Sequence, residues 1–311
     1  MIARAAAAFD RLPANLRGAL WVLLSAFLLT VMGAMVKDMA KDIHSFQIVF
    51  FRCLIGAITL TPFILRAGVA ASLQTKRPFL LLARTLVGTL GMFCVFYSFQ
   101  HMPLAEAVAI IFSRPLFAVA LAVPFLGEVV GWRRTLAAVA GFCGVLIMVR
   151  PGTEAFQPVA LVALLGAFTA GAIAIIIKQL SRTESTTTIV VWFAIAGTVV
   201  SAIPAATVWV WPTPEQWVWL VAIGVIGIAG QAALTRGFST GETSFVTPFD
   251  YSRLVFATVF GITVFGEVPD LWKAVGALVI VTSGFYIARR EMALARERGR
   301  AAASTPPAEP S

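Results

Sequence analysis

The chain has 311 residues, of which 59% are hydrophobic and 13% charged, with a mean hydropathy of +0.89. Soluble domains carry roughly 25% charged residues, so this composition excludes an ordinary water-soluble protein and points to an integral membrane protein. The formal net charge of +9 does not imply nucleic acid as a partner, because the basic residues sit in short segments between apolar runs and not along a surface stripe.

Met1 to Arg17 is a basic, alanine-rich cytoplasmic lead, too polar at Asp10, Arg11 and Asn15 to be the apolar part of a signal peptide. Ten apolar runs follow, at Gly18 to Val36, Phe46 to Leu65, Phe79 to Phe99, Leu104 to Leu126, Trp132 to Val149, Val159 to Ile177, Thr188 to Val210, Trp217 to Thr235, Thr243 to Phe265 and Leu271 to Ala288. Each is about 20 residues, enough to cross a hydrocarbon core of roughly 30 Å. Pro103, Pro151, Pro158, Pro212, Pro214 and Pro269 fall in the connections, where helices stop. The tail, residues 291–311, is first charged and then rich in Ser, Thr and Pro, and is expected to be disordered. Cys53, Cys94 and Cys143 each lie inside an apolar run without paired spacing, so neither a disulfide framework nor a metal site is indicated.

Sixteen of the 24 Lys and Arg residues fall on one side if the first helix starts in the cytoplasm, against Lys37, Lys41, Arg150 and Lys273 on the other. That bias places both termini inside. The remaining four, Arg52, Arg84, Arg114 and Arg253, lie within spans.

The sequence also repeats itself. At an offset of 139, Phe112-Ser113-Arg114 falls on Tyr251-Ser252-Arg253, and Leu126-Gly127-Glu128 on Phe265-Gly266-Glu267; at 141, Ala26-Phe27 and Lys37 fall on Ala167-Phe168 and Lys178. Each copy spans five helices, residues 18–150 and 158–290. Because five is odd, the second copy enters the membrane from the opposite side. The expected fold is therefore an all-α membrane protein of ten transmembrane helices in two inverted five-helix repeats, an architecture that places a substrate site at the midplane. A duplication serving packing alone is the alternative.

Tyr97 to Gly152, with YSFQHMPLAEAVAIIFSRPLFAVALAVPFLGE at its start, resembles the signature half of the EamA family in the drug/metabolite transporter superfamily, and Arg236 to Arg290 resembles its second half. The resemblance implies a bacterial inner-membrane carrier that moves a small metabolite by alternating access. Relatives of this kind include exporters of amino acids and metallophores and importers of riboflavin or S-adenosylmethionine.

Arg114 and Arg253 sit about ten residues from either end of their spans, too deep to reach the headgroups, at a cost of roughly 2.5–3.5 kcal/mol each. As repeat equivalents they are expected to face one cavity and to offer guanidinium forks to a carboxylate-bearing or zwitterionic substrate. Asp250, three residues before Arg253 on the same helix face, is the alternative partner for Arg253, and it is the expected carrier if protons are the coupling ion. No acid matches it near Arg114, where Ile111 stands. Ser113, Ser252, Phe112 and Tyr251 flank the arginines and join the substrate-binding set, the aromatics by stacking. Arg52 and Arg84 lie nearer their helix ends and read as snorkelling residues or as charged vestibules on the two sides. Glu128 and Glu267 read as solvated helix ends or as gate ion pairs. No nucleophile or metal motif of an enzyme is present and no cofactor is expected; a non-transporting structural or sensory membrane protein is the reading from another class.

Overall fold

A computed structural model of the chain describes residues 12–67, 74–126, 132–180, 183–184, 186–241, 246 and 249–304. Its helices in chain order are α1 (Ala14–Asp38), α2 (Ser45–Ala67), α3 (Pro78–His101), α4 (Leu104–Ile111), α5 (Arg114–Leu126), α6 (Trp132–Val149), α7 (Val159–Leu180), α8 (Thr186–Thr207), α9 (Pro214–Thr240), α10 (Ser252–Phe265) and α11 (Leu271–Ser304). Among the described residues there is no strand. Among the described residues eight segments are long and apolar enough to cross a membrane, and Thr135–Val149 and Ser252–Phe265 are shorter apolar helices.

The ends follow local chemistry. Pro78 opens α3, where a missing N–H costs nothing. At α9 the Thr213 hydroxyl accepts from the Gln216 backbone N–H while the Gln216 side chain takes the Thr213 N–H, a reciprocal cap written in the sequence as Thr-Pro-Glu-Gln. Gly266 ends α10 in the left-handed region at φ 65°, which glycine adopts without a Cβ penalty.

Besides a second break, at Tyr251 in the run from Thr243 to Phe265, three stretches differ from the sequence expectation. The run from Leu104 to Leu126 is two helices, broken at Phe112 and Ser113. The eighth helix stops at Thr207 instead of Val210, because the Gln47 side chain takes both backbone groups of Val210, donating to its O at 2.6 Å and accepting from its N at 3.1 Å. The last helix runs on to Ser304, past the point where disorder was expected, through Ala, Arg and Glu residues that favour helix. Residues 1–11 and 305–311, and the start of the ninth run at 242–245, lie outside the described residues.

Packing crosses the repeat boundary. The most extensive neighbours are α1 with α9, α6 with α11, α3 with α7 and α2 with α8, each joining one repeat to the other. The α1/α9 seam is tight: a Cβ on Gly18 would stand 2.8 Å from Gly241 Cα, and one on Gly237 2.5 Å from Val22. Small residues that admit such backbone approach drive helix association in lipid, where the hydrophobic effect between helices is absent. The main buried cluster draws Met35, Phe51, Phe99, Leu104, Ile110, Met148, Leu220 and Ile280 from both repeats, so the two share one core.

Candidate functional site

The break between α4 and α5 has a local cause. Pro115 is the second residue of α5, and in a continuous helix it would lack the N–H owed to Ile111 O and press its ring on that carbonyl. Phe112 accordingly turns at φ −66°, ψ −7°, and the Ser113 N–H bonds Ile110 O, one residue short of helical. The second copy does the same: Tyr251 sits at φ −67°, ψ −14°. In both, a serine hydroxyl donates to the carbonyl three residues back, Ser113 to Ile110 and Ser252 to Phe249, each at 2.6 Å. These serines therefore hold the breaks with their own protons.

The two breaks meet. Phe112 and Tyr251 stack on each other, centroids 4.9 Å apart and planes 30° apart. The Tyr251 hydroxyl reaches over Gly284, where a Cβ would come within 2.8 Å of it. Asp250 lies between the repeat-equivalent arginines, accepting from Arg114 Nη2 at 2.9 Å and lying 3.5 Å from Arg253 Nη2. No acid stands on the Arg114 face of its own helix, and its partner comes instead from the other repeat, 136 residues away. The Arg114 side chain stays 39% exposed, against 7% for Asp250 and 17% for Arg253. Two cations on one anion leave the trio a net single positive charge, with Arg114 its accessible member. A cavity of about 90 Å³ adjoins it, walled by Leu29, Met32, Phe99, Phe112, Arg114 and Arg253 among others.

Arg52 and Arg84, expected at separate vestibules, are brought into one cluster. Arg52 Nη1 contacts Met92 Sδ at 3.2 Å, and Arg84 lies over the Phe193 ring at 3.8 Å. Arg84, Gly88 and Met92 share one face of α3, and a Cβ on Gly88 would touch both Phe193 and Arg84 Nη1.

At the end where α1 finishes, three ion pairs tie the repeats together. Lys37 pairs with Glu267 at 2.6 Å, Lys273 with Glu106 at 2.6 Å, and Arg150 with Asp270. Glu267 also accepts from Leu104 N at 2.9 Å and so caps α4, while Lys37 donates to Met102 O at 2.7 Å. The Gly-Glu pair at 266–267 thus has two duties: the glycine turns the chain, and the glutamate ties it to α1 and α4. Its repeat counterpart Glu128 lies outside the described residues. Asp270, in the loop, has its carboxyl held below the usual range by the Lys273 backbone N–H and by Arg150. At the same end burial, and then the nearby His101, lower the pKa of His44, which keeps its ring neutral. Sequence reasoning missed Glu106 and its partner, which are 167 residues apart.

Charges held where two helices break, inside a bundle of largely apolar helices, define a multi-pass membrane protein with an interior polar centre. Residues 16–150 and 157–289 each match the EamA-like transporter family, and the chain belongs to that family. It is a membrane transporter of the drug/metabolite superfamily and not an enzyme. It is 31% identical to the S-adenosylmethionine uptake transporter of Rickettsia prowazekii over 278 residues, 89% of this chain and 94% of that one. It is 34% identical to the pseudopaline exporter of Pseudomonas aeruginosa over 277 residues, 88% and 96% of the two chains. The riboflavin transporter of Vibrio cholerae is 27% identical over 89% of this chain and 94% of its own. A solved crystal structure with 22% identity superposes with a TM-score of 0.57, covering 90% of this chain and 98% of that chain, so the fold as a whole has been seen before.

Proposed function

We propose that the protein is a secondary transporter of a small organic metabolite bearing a carboxylate, free or zwitterionic, which Arg114 and Arg253 bind in the cavity at the meeting of the two breaks. The observation that carries this reading is the trio itself: Asp250 offers one negative charge to two guanidinium groups, and the more exposed of them, Arg114, borders the cavity. Ten spans in two inverted repeats support alternating access, since exchanging the repeats maps the packing of α1 on α9 onto that of α7 on α3. With both termini cytoplasmic in a bacterial inner membrane, the Lys37 end is outer, and its three ion pairs are an outer gate held shut. Glu267 is a gate residue here, and Asp250 the coupling residue: a proton on Asp250 releases Arg114 to an anionic group, so proton and substrate load together. A second reading is supported by the Phe112/Tyr251 stack, a platform for an aromatic, cofactor-like solute, and by the names of the S-adenosylmethionine and riboflavin relatives.

The test is initial uptake into vesicles, normalised to inserted protein, of S-adenosylmethionine, riboflavin and a panel of amino-acid-derived carboxylates. Arg114→Ala should abolish uptake of the accepted solute while insertion is unaffected. Arg114→Lys keeps charge but loses the planar fork, and should reduce uptake markedly. Normal transport by Arg114→Ala would sink the reading. Retention of pH-driven accumulation by Asp250→Asn would remove the coupling role alone.

A further inference from the structure

Among the described residues no acid pairs with Arg52 or Arg84. The Nε of Arg52 and the Nε and Nη1 of Arg84 are buried and have no hydrogen-bond partner among the described residues, and Thr89 Oγ1 beside them is in the same condition. The surrounding helices are α2, α3 and α8, with α1 and α9 behind them; the first three contain no Asp or Glu, and the acids of the other two, Asp38 and Glu215, stand at the helix ends. What the protein supplies instead is a ring face from Phe193 and a thioether from Met92. Buried charges are otherwise paired, and a guanidinium does not shed its proton to escape the cost. The two guanidinium groups also lie within electrostatic reach of each other and of the Cys53 sulfur, so each raises the cost of the other.

Nothing in the repeat demands this charge. At an offset of 141 Ser45, Ile48 and Gly56 of α2 fall on Thr186, Ile189 and Gly197 of α8, and Arg52 falls on Phe193; at 139 Leu81, Gly88 and Gly91 of α3 fall on Leu220, Gly227 and Gly230 of α9, and Arg84 falls on Ile223. Both arginines thus stand where the other copy is apolar. The pair lies close to the central cavity: a Cβ on Gly227 would stand 3.0 Å from Met32 Sδ and 3.4 Å from Arg52 Nε, and Met32 is a wall of that cavity.

We propose that Arg52 and Arg84 form a second binding site, distinct from the Arg114 centre, which takes a small anion such as chloride or a carboxylate group between the two guanidinium groups. The anion accepts the hydrogen bonds that Arg52 Nε and Arg84 Nε and Nη1 have to give, and Thr89 contributes a hydroxyl. The site stands whatever solute the protein carries.

The experiment uses the full-length protein in detergent, its thermal midpoint followed as chloride or acetate replaces 2-(N-morpholino)ethanesulfonate, a bulky anion without a carboxylate, at constant ionic strength. A saturable rise is expected, since a ligand of the folded state alone stabilises it. A rise with both anions marks a site filled from solution; a rise with acetate alone marks one shaped for a carboxylate such as a passing substrate carries. Arg52→Gln and Arg84→Gln should each weaken the apparent affinity by about tenfold or more, as losing a charge-assisted hydrogen bond does. Phe193→Glu, which tethers a carboxylate where the ring now covers Arg84, should hold the midpoint high in the bulky sulfonate and make it insensitive to chloride and acetate. Equal midpoints in all three salts, or a titration unchanged in both arginine variants, overturns the proposal. So does an Arg114→Gln variant that shifts the titration as far as Arg84→Gln, because the anion would then belong to the central site.

Discussion

Arg114 and Arg253 share the carboxylate of Asp250, whereas Arg52 and Arg84, in the same apolar bundle, have a ring face and a sulfur atom. The first pair is a product of the repeat, and its acid stands in only one copy, since Ile111 occupies the place of Asp250 in the other. The second pair belongs to one copy alone. The difference is instructive about how a duplicated membrane fold handles charge. A cation inherited in both halves meets its twin at the interface and can be balanced there by a single new carboxylate. A cation added to one half meets apolar side chains across the interface and has to find its balance outside the protein.

The largest expected effect comes from making the first centre resemble the second. Asp250→Asn leaves the largely buried Arg253 and the more exposed Arg114 without their counter-charge; breaking a buried pair costs about 3–5 kcal/mol, and less where one partner reaches solvent. The variant's thermal midpoint should fall steeply, and the double variant Asp250→Asn with Arg253→Gln should recover part of the loss, because the two changes act on one network. A single variant as stable as the parent would mean that the two centres do not differ in the way described.

A smaller effect is expected at the Lys37 end, where cross-repeat charges are also paired but closer to water. Lys37→Met should cost on the order of 1 kcal/mol, as partly exposed pairs do. The exchange Lys37→Glu with Glu267→Lys should restore part of it, which separates the charge contact from the cap that Glu267 places on Leu104. Stability measured in detergent for the three proteins decides.

The smallest effect is a pH dependence. The Asp270 carboxyl is depressed in the folded protein by the Lys273 backbone N–H and Arg150, so its contribution is complete above the unfolded carboxylate pKa and is lost as pH falls through the folded value. Stability should therefore hold from neutral pH down to the ordinary carboxylate range, and the acid limb of the curve should be shallower in Asp270→Asn. An identical acid limb would show the Arg150 tie to be inert.

Much of this was legible in the residues. The repeat offset identified Arg114 and Arg253 as equivalents, and the prolines from Pro103 to Pro269 marked several helix ends, because both signals are local and chemical. The family resemblance carried the transporter class. The break at Phe112 was missed although Pro115 announces it: an unbroken apolar run reads as one span unless the proline is taken as the first turn of a new helix. The Arg114 contact to Asp250 was missed for a different reason. Periodicity finds acids three or four residues away and says nothing about one 136 residues on. Arg52 and Arg84 were judged by depth along their own helices, a measure that cannot show two helices turning their charged faces toward one another.

The glycine seam between α1 and α9 has a consequence for how the chain is assembled. Gly18, Gly227, Gly230 and Gly237 fit the backbone and side chains of a helix encoded in the other repeat, so each half carries a surface whose complement is synthesised elsewhere in the chain. Neither half alone has a finished interior. Yet the link between them, Pro151 to Pro158, is an exposed run of turns outside the apolar seams. Two polypeptides divided within that link and made in the same cell should therefore find one another by this seam and reconstitute the carrier, as a pair of genes for two half-length proteins would.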